Sequence, residues 1–248
     1  MAPITVIIPA RLASTRFPEK VLACLTGKPL VQHVAEAAAR CTAAAKIVVA
    51  TDHQRVIDAL RPFGTTVILT DPAHPNGTSR LAEAATILQL GDDEIVVNAQ
   101  GDEPEMAGSV IDAALAALLE TPGAQVGTVA APITSAAEFA DRNIVKVVRG
   151  TGGQGLYFSR APIPHDRDGQ HLATPLRHIG VYAYRVGFLR KYVDLAPTPL
   201  ERTEQLEQLR VLETGHTIGV HLTATAQQGI DTPEQYAEFV RRFMASRT

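Results

Sequence analysis

Short apolar runs alternate with amphipathic stretches along this chain. Val6-Ile7-Ile8 and Ile47-Val48-Val49-Ala50 are runs of strand length, and residues 66–69 and 94–98 read as two further buried strands. Between the first two, Leu30, Val31, Val34, Ala35 and Ala38 recur at helical spacing, which predicts a helix over 29–40. Residues 53–62 and a stretch opening at Thr78 are also read as helical. Strand, helix and strand in succession predict a parallel α/β sheet. The first strand is expected to break at Pro9.

The second half is more broken. A helix is expected over 108–121, strands over 126–131 and 144–149, and a short helix over 135–140. A short strand at 156–158 follows a glycine-rich turn, and residues 161–176, with three prolines, read as an extended loop or dimer arm. Residues 177–184, RHIGVYAY, alternate. Ile179, Val181 and Ala183 share one face, and His178, Gly180, Tyr182 and Tyr184 share the other. Thr198-Pro199-Leu200-Glu201 has the form of a capping box opening one helix to about residue 213, with Glu204, Glu207 and Gln208 on one face. A second box, Thr232-Pro233-Glu234-Gln235, opens the closing helix and leaves Asp231 free of capping duty.

Composition narrows the classes. The chain has 248 residues, 46% of them hydrophobic, enough for one large domain or two small ones. A net charge of −3 does not suggest nucleic acid. The two cysteines, Cys24 and Cys41, lack metal-ligand spacing and read as reduced thiols of a cytoplasmic protein. The first strand begins almost at once, so no signal peptide is expected. No apolar run approaches the ~20 residues of a membrane helix.

Against this neutral background the loop after the first strand stands out. Arg11, Arg16 and Lys20 fall within ten residues, beside Ser14 and Thr15. Guanidinium groups grip phosphate oxygens through paired donors, and lysine adds a mobile point charge. At the carboxyl end of a parallel strand such a cluster suits a nucleoside triphosphate, although a solvated basic loop has the same composition. Neither GxxxxGK[ST] nor GxGxxG is present there, which weighs against a P-loop protein or an NAD enzyme. After the fourth strand, Gln100-Gly101-Asp102-Glu103-Pro104 places carboxylates at a sheet edge. They suit magnesium on a substrate phosphate or, more plainly, a capped turn. Arg80, in the first turn of a helix, opposes the helix dipole and is expected to reach for a partner, Asp71 being one candidate. Asp231 is a second candidate metal ligand. His178 and Tyr182 suit a sugar, or a half-buried core.

Taken together, IIPARLASTRFPEK, VVATD, GTSRLAE, VNAQGDEP, LYFSRAPIP, RHIGVYAYR, LEQLRVLE and GIDTPEQ resemble, over nearly the whole chain, the family of 3-deoxy-D-manno-octulosonate (Kdo) cytidylyltransferases. The resemblance implies a Rossmann-like, mostly parallel α/β sheet flanked by helices, of the nucleotide-diphospho-sugar transferase type. It implies a single domain with a nucleotide-binding part (1–130), a smaller mixed part for sugar binding and dimerisation (131–225) and a closing metal loop and helix (226–248). The implied reaction joins CTP and Kdo to give CMP-Kdo and pyrophosphate, for lipopolysaccharide biosynthesis in the cytoplasm. Carried over by position, Ala10, Arg11, Ser14, Arg16, Lys20, Arg80 and Gln100 would meet CTP. Gln100, Arg160, His178, Tyr182, Glu207 and Gln208 would meet Kdo. Asp102 and Asp231 would hold Mg2+, and Arg16, Lys20, Asp102 and Asp231 would carry the chemistry. The resemblance also implies a homodimer, with no nucleic acid and no membrane partner. The other readings are CMP transfer to 8-amino-Kdo or sialic acid, and a non-catalytic nucleotide-binding module. The chain departs from the family at Ser79, where glutamate is usual, and at Glu19-Lys20-Val21-Leu22, where KPL is usual and the lysine is kept.

Overall fold

The computed structural model describes residues 4–14, 16–224 and 229–246, so Thr15 lies outside the described residues. In chain order the elements are β1 (Ile4–Ala10), α1 (Leu30–Ala38), β2 (Ala44–Thr51), α2 (Gln54–Leu60), β3 (Thr66–Leu69), α3 (Gly77–Ile87) and β4 (Ile95–Asn98). Then come α4 (Gly108–Glu120), β5 (Ala124–Pro132), α5 (Ala136–Ala140), β6 (Lys146–Arg149), β7 (Gly155–Ser159), β8 (Leu176–Arg185), α6 (Val186–Asp194), α7 (Pro199–Glu204), α8 (Gln208–Glu213), β9 (Thr217–Leu222) and α9 (Pro233–Ala245). The chain forms two compact units, Met1–Ser109 with Gln227–Thr248, and Val110–Ala226.

In the first unit the strands run β3-β2-β1-β4, all parallel. Val6, Ile7, Ile8, Val48, Val49, Val96 and Val97 are fully buried, which is why these strands read as continuous apolar runs. This is the α/β class expected. Contrary to expectation, β1 does not break at Pro9 but continues to Ala10. The reason lies in the register. The Ile7 carbonyl accepts from Ala99 N, so Pro9, two residues on, also faces the β4 side, where the pairing has ended at Ile7↔Asn98. Its missing N–H costs no ladder bond.

α9 closes this unit. Ile230, Tyr236 and Phe239 are buried with Leu30 of α1, and Phe17 of the basic loop packs against them. The Tyr236 hydroxyl accepts from Leu25 N at 2.8 Å. The end of the chain therefore anchors the loop that follows β1.

In the second unit β5 pairs with β9 in parallel and with β8 in antiparallel, and β8 continues through β6 to β7. α4 lies close on β5 and β9. A Cβ at Gly127 would come 2.2 Å from the Ala114 carbonyl, and one at Gly219 2.0 Å from the Ala117 carbonyl. The helix expected to run from 199 to 213 is instead two, α7 and α8. Gln205 takes φ 54°, a left-handed conformation that ends the first, and Leu206 turns inward. Tyr184, placed on the polar face of β8, is buried and stacks on Tyr182 at 5.9 Å.

Candidate active site

The basic loop is shaped before it meets anything. Glu19 adopts φ 54°, and a 3-10 turn over Lys20–Leu22 follows it. The Glu19 carboxylate is gripped by Arg55 of α2, one contact measuring 2.7 Å, and that bond holds its pKa below the ordinary value. This turn carries the Lys20 side chain inward until it is nine-tenths buried. There its ammonium lies 2.8 Å from Asp102 Oδ2 and 3.1 Å from Asp231 Oδ1. Arg16 Nη2 lies 3.0 Å from the other Asp231 oxygen.

The two acids are brought together by main chain as well as by charge. Ile230 N donates to the Asp102 carbonyl at 2.8 Å, tying the closing segment to the turn after β4. Gly101 permits this turn to press on β1, since a Cβ there would fall 2.6 Å from the Pro9 carbonyl oxygen. Gln235 Oε1 accepts from Asp231 N and Thr232 N, at 2.6 and 3.0 Å, completing the capping box. The Asp231 carboxylate is thereby left to face Lys20 and Arg16, as its position outside the helix had suggested. Arg11, Ser14, Arg16, Lys20, Gln100, Asp102 and Asp231 line a cavity of about 400 Å³.

Two candidate nucleotide contacts sit deeper. Ala10 and Arg80 are fully buried. The partner of Arg80 is Asp52, at 3.2 Å, together with the Thr70 hydroxyl; Asp71, the candidate from sequence, supplies no direct bond. Burial lowers the Arg80 pKa, and Asp52 opposes that shift. Asp52 also accepts from Leu12 N at 3.2 Å, so one carboxylate fixes both Arg80 and the start of the basic loop. In the sequence Asp52 stands only as the last residue of VVATD, with nothing to mark this work. Arg11 Nη2 and Arg80 Nε are buried with no hydrogen-bond partner, and desolvated donors of this kind suit an arriving anion. Ser79 turns back on the cap of α3, its hydroxyl donating to the Asn76 carbonyl at 3.1 Å.

The second unit gathers most of the residues assigned to the sugar. His178 lies 5.3 Å from Tyr182, ring to ring, and edge-on to Phe158 at 5.2 Å. Burial pushes the His178 pKa down to about 3. It also raises that of Tyr182, which the nearby Glu207 charge raises further. Gln208 is buried, and its Nε2 has no hydrogen-bond partner. Arg160 is differently placed. Its Nε donates to the Glu204 carbonyl at 2.8 Å, and Glu204 in return accepts from Arg160 N at 2.9 Å. Arg160 thus holds the elbow that precedes Glu207.

One residue here had no signal beyond a charge beside Val147-Val148. Lys146 is fully buried, and its three ammonium donors go to the carbonyls of Asp141, Ile144 and Arg160, at 2.8, 2.6 and 2.8 Å. Burial lowers its pKa. It fixes the Arg160 main chain from beneath.

Residues 5–218 match the cytidylyltransferase family. The chain is 49% identical to a 3-deoxy-manno-octulosonate cytidylyltransferase of Acidovorax sp. (strain JS42), over 94% of both chains. It is equally similar to the enzyme of that name from Methylibium petroleiphilum, over 94% of this chain and 92% of the relative. Among solved structures, a CMP:2-keto-3-deoxy-manno-octonic acid synthetase complexed with CTP superposes with a TM-score of 0.91 at 39% identity, covering both chains fully. A 4-diphosphocytidyl-2C-methyl-D-erythritol synthase shares the fold, with a TM-score of 0.63 at 12% identity.

Proposed function

This chain belongs to the cytidylyltransferases, in their 3-deoxy-manno-octulosonate branch, and on that premise we propose how its residues divide the work of making CMP-Kdo. The enzyme is a nucleotidyltransferase that activates Kdo with CTP, releasing pyrophosphate, for lipopolysaccharide biosynthesis. The observation that carries the division of roles is the meeting of Asp102 and Asp231 on one buried cation in a cavity lined by Arg11, Ser14, Arg16 and Gln100.

Two hard carboxylates at one point suit a divalent ion that completes its shell with water and phosphate oxygens, the habit of Mg2+. The Lys20 ammonium between them marks a place where positive charge is stabilised. Asp102 and Asp231 would hold the ion. Bound there, Mg2+ would supply charge neutralisation and a lowered pKa for the attacking hydroxyl.

The chain's own groups do the rest. Arg11, Arg16 and Ser14 grip the triphosphate, and the unpartnered donor of Arg11 is ready for it. Arg16 and Lys20 stabilise charge that builds on the leaving pyrophosphate. In the second unit Tyr182, His178, Glu207 and Gln208 orient the sugar, and Arg160 supports that subsite through the Glu204–Gln205 elbow. Arg80, with Ala10, shapes the floor under the nucleotide. In this reading the protein works in the cytoplasm as a homodimer, and the exposed Leu172 in the 161–176 arm is available to a second copy. Among the described residues no helix is long and apolar enough to cross a membrane.

The decisive assay is pyrophosphate release from CTP with Mg2+ and Kdo, with UTP and ATP as nucleotide controls and 8-amino-Kdo and sialic acid as sugar controls. Release with CTP and Kdo above every other pair is expected. Preference for another sugar would overturn the assignment, and nucleotide binding without release would favour a silent module. Light scattering should give twice the chain mass.

A further inference from the structure

β8 carries a bulge at the sugar-binding face. Thr128 of β5 is registered with Tyr182, but the next residue, Val129, is registered with Ile179, so Gly180 and Val181 are extra on β8. The Thr128 side chain sits at this irregularity and is fully buried. Its hydroxyl oxygen lies 2.7 Å from the Val181 carbonyl, 3.3 Å from the Ile179 carbonyl and 2.9 Å from His178 Nε2.

Donor accounting decides the histidine tautomer. A threonine hydroxyl has one proton, and carbonyls only accept. The short contact to Val181 takes that proton. The contact to His178 is then a hydrogen bond only if Nε2–H donates to the hydroxyl oxygen. The ring is flanked by Phe158 and Tyr182, with burial opposing a charge. It is therefore neutral, and Nδ1 carries the lone pair.

We infer that Thr128 is a positioning residue: it holds His178 as the Nε2–H tautomer, so that Nδ1 presents an acceptor which takes a hydroxyl of the acid sugar and not its carboxylate. A carboxylate has no proton to give a lone pair, so this contact selects for a hydroxyl donor. The kinetic consequence rests on the reading that Kdo meets His178; the tautomer does not.

The test joins a spectrum to kinetics on the full chain. Histidine labelled with 15N, with the His178 signals assigned by loss in His178→Gln, should show protonation at Nε2 alone at pH 7.5. Thr128→Val keeps the shape and removes the hydroxyl. It should lose that single-tautomer pattern and raise KM for Kdo about tenfold, with kcat and KM for CTP within about twofold. Thr128→Ser should restore both. Protonation of wild-type His178 at Nδ1, or at both nitrogens, overturns the inference, and so does a Thr128→Val protein that keeps tautomer and KM. If Thr128→Val does not fold, the wild-type spectrum decides. If neither wild type nor any variant turns over Kdo while wild type shows Nε2–H, the tautomer stands and the functional reading fails.

Discussion

The cavity beyond β1 is made of charges that neutralise one another, whereas the face of β8 is made of rings and hydroxyls. In the first, Lys20 lies between two carboxylates and Arg16 engages the outer one. In the second, His178 is held by a threonine hydroxyl and flanked by Phe158 and Tyr182. On the proposed reading, the contrast follows from what each would receive. A triphosphate and a divalent ion bring large charges, and residues able to meet them must be paired while they wait, because lone buried ions are costly. A sugar hydroxyl brings a directional dipole, and groups that meet it are best fixed beforehand.

This contrast can be broken most severely at the acids. Asp102→Asn or Asp231→Asn should reduce pyrophosphate release by at least about a thousandfold, since each removes a ligand for the ion that would assist the attack. Melting temperature should change little, because the Ile230–Asp102 link that joins the segments is main chain. Normal magnesium-dependent turnover in either variant would contradict the role given to the pair.

Lys20→Met tests whether the charged cavity is a balance. Turnover should fall about a hundredfold as one cation is lost from the leaving group's surroundings. In the absence of nucleotide, Mg2+ should raise the melting temperature of this variant more than that of wild type, because the ion no longer competes with the ammonium. Equal shifts would show that Lys20 does not occupy the ion's place.

Tyr182→Phe probes the neutral region. KM for Kdo should rise about tenfold, the loss of one hydrogen bond, with kcat and KM for CTP unchanged. A fall in kcat instead would move Tyr182 from orientation to chemistry.

The smallest effect concerns acid. Burial depresses the His178 pKa to about 3 from an ordinary value near 6.5. Between those values the unfolded chain binds the proton and the folded chain does not, so folding stability rises with pH through that window. Stability should fall as pH is lowered from about 6.5 towards 3, by at most about 1.4 kcal/mol per pH unit from this residue. Denaturant titrations of wild type and His178→Gln at pH 7 and pH 4.5 should show a shallower loss in the variant. Parallel losses would place the acid sensitivity elsewhere.

Much of this molecule was legible before it was folded. The parallel strands of the first unit announce themselves because burial on both faces demands unbroken apolar runs, and the capping box at Thr232 released Asp231 as a free acid. Misreadings occurred where one residue's surroundings overrode its habit. Pro9 stays in β1 because its side of the strand has run out of partners, and Gln205 breaks a helix that periodicity alone would continue. Asp52, Lys146 and Thr128 gave no usable signal, because their work consists of partners 28, 14 and 50 residues away.

The sequence by itself determined the α/β class, the basic loop and the acids at 102 and 231, because apolar period, charge clustering and capping motifs are local properties. Only the tertiary structure decided that those acids share one ammonium, that Arg80 belongs to Asp52 and that His178 lies against the Thr128 hydroxyl. Each of these depends on which distant group arrives within about 3 Å, and hydrogen bonds act over no longer range than that.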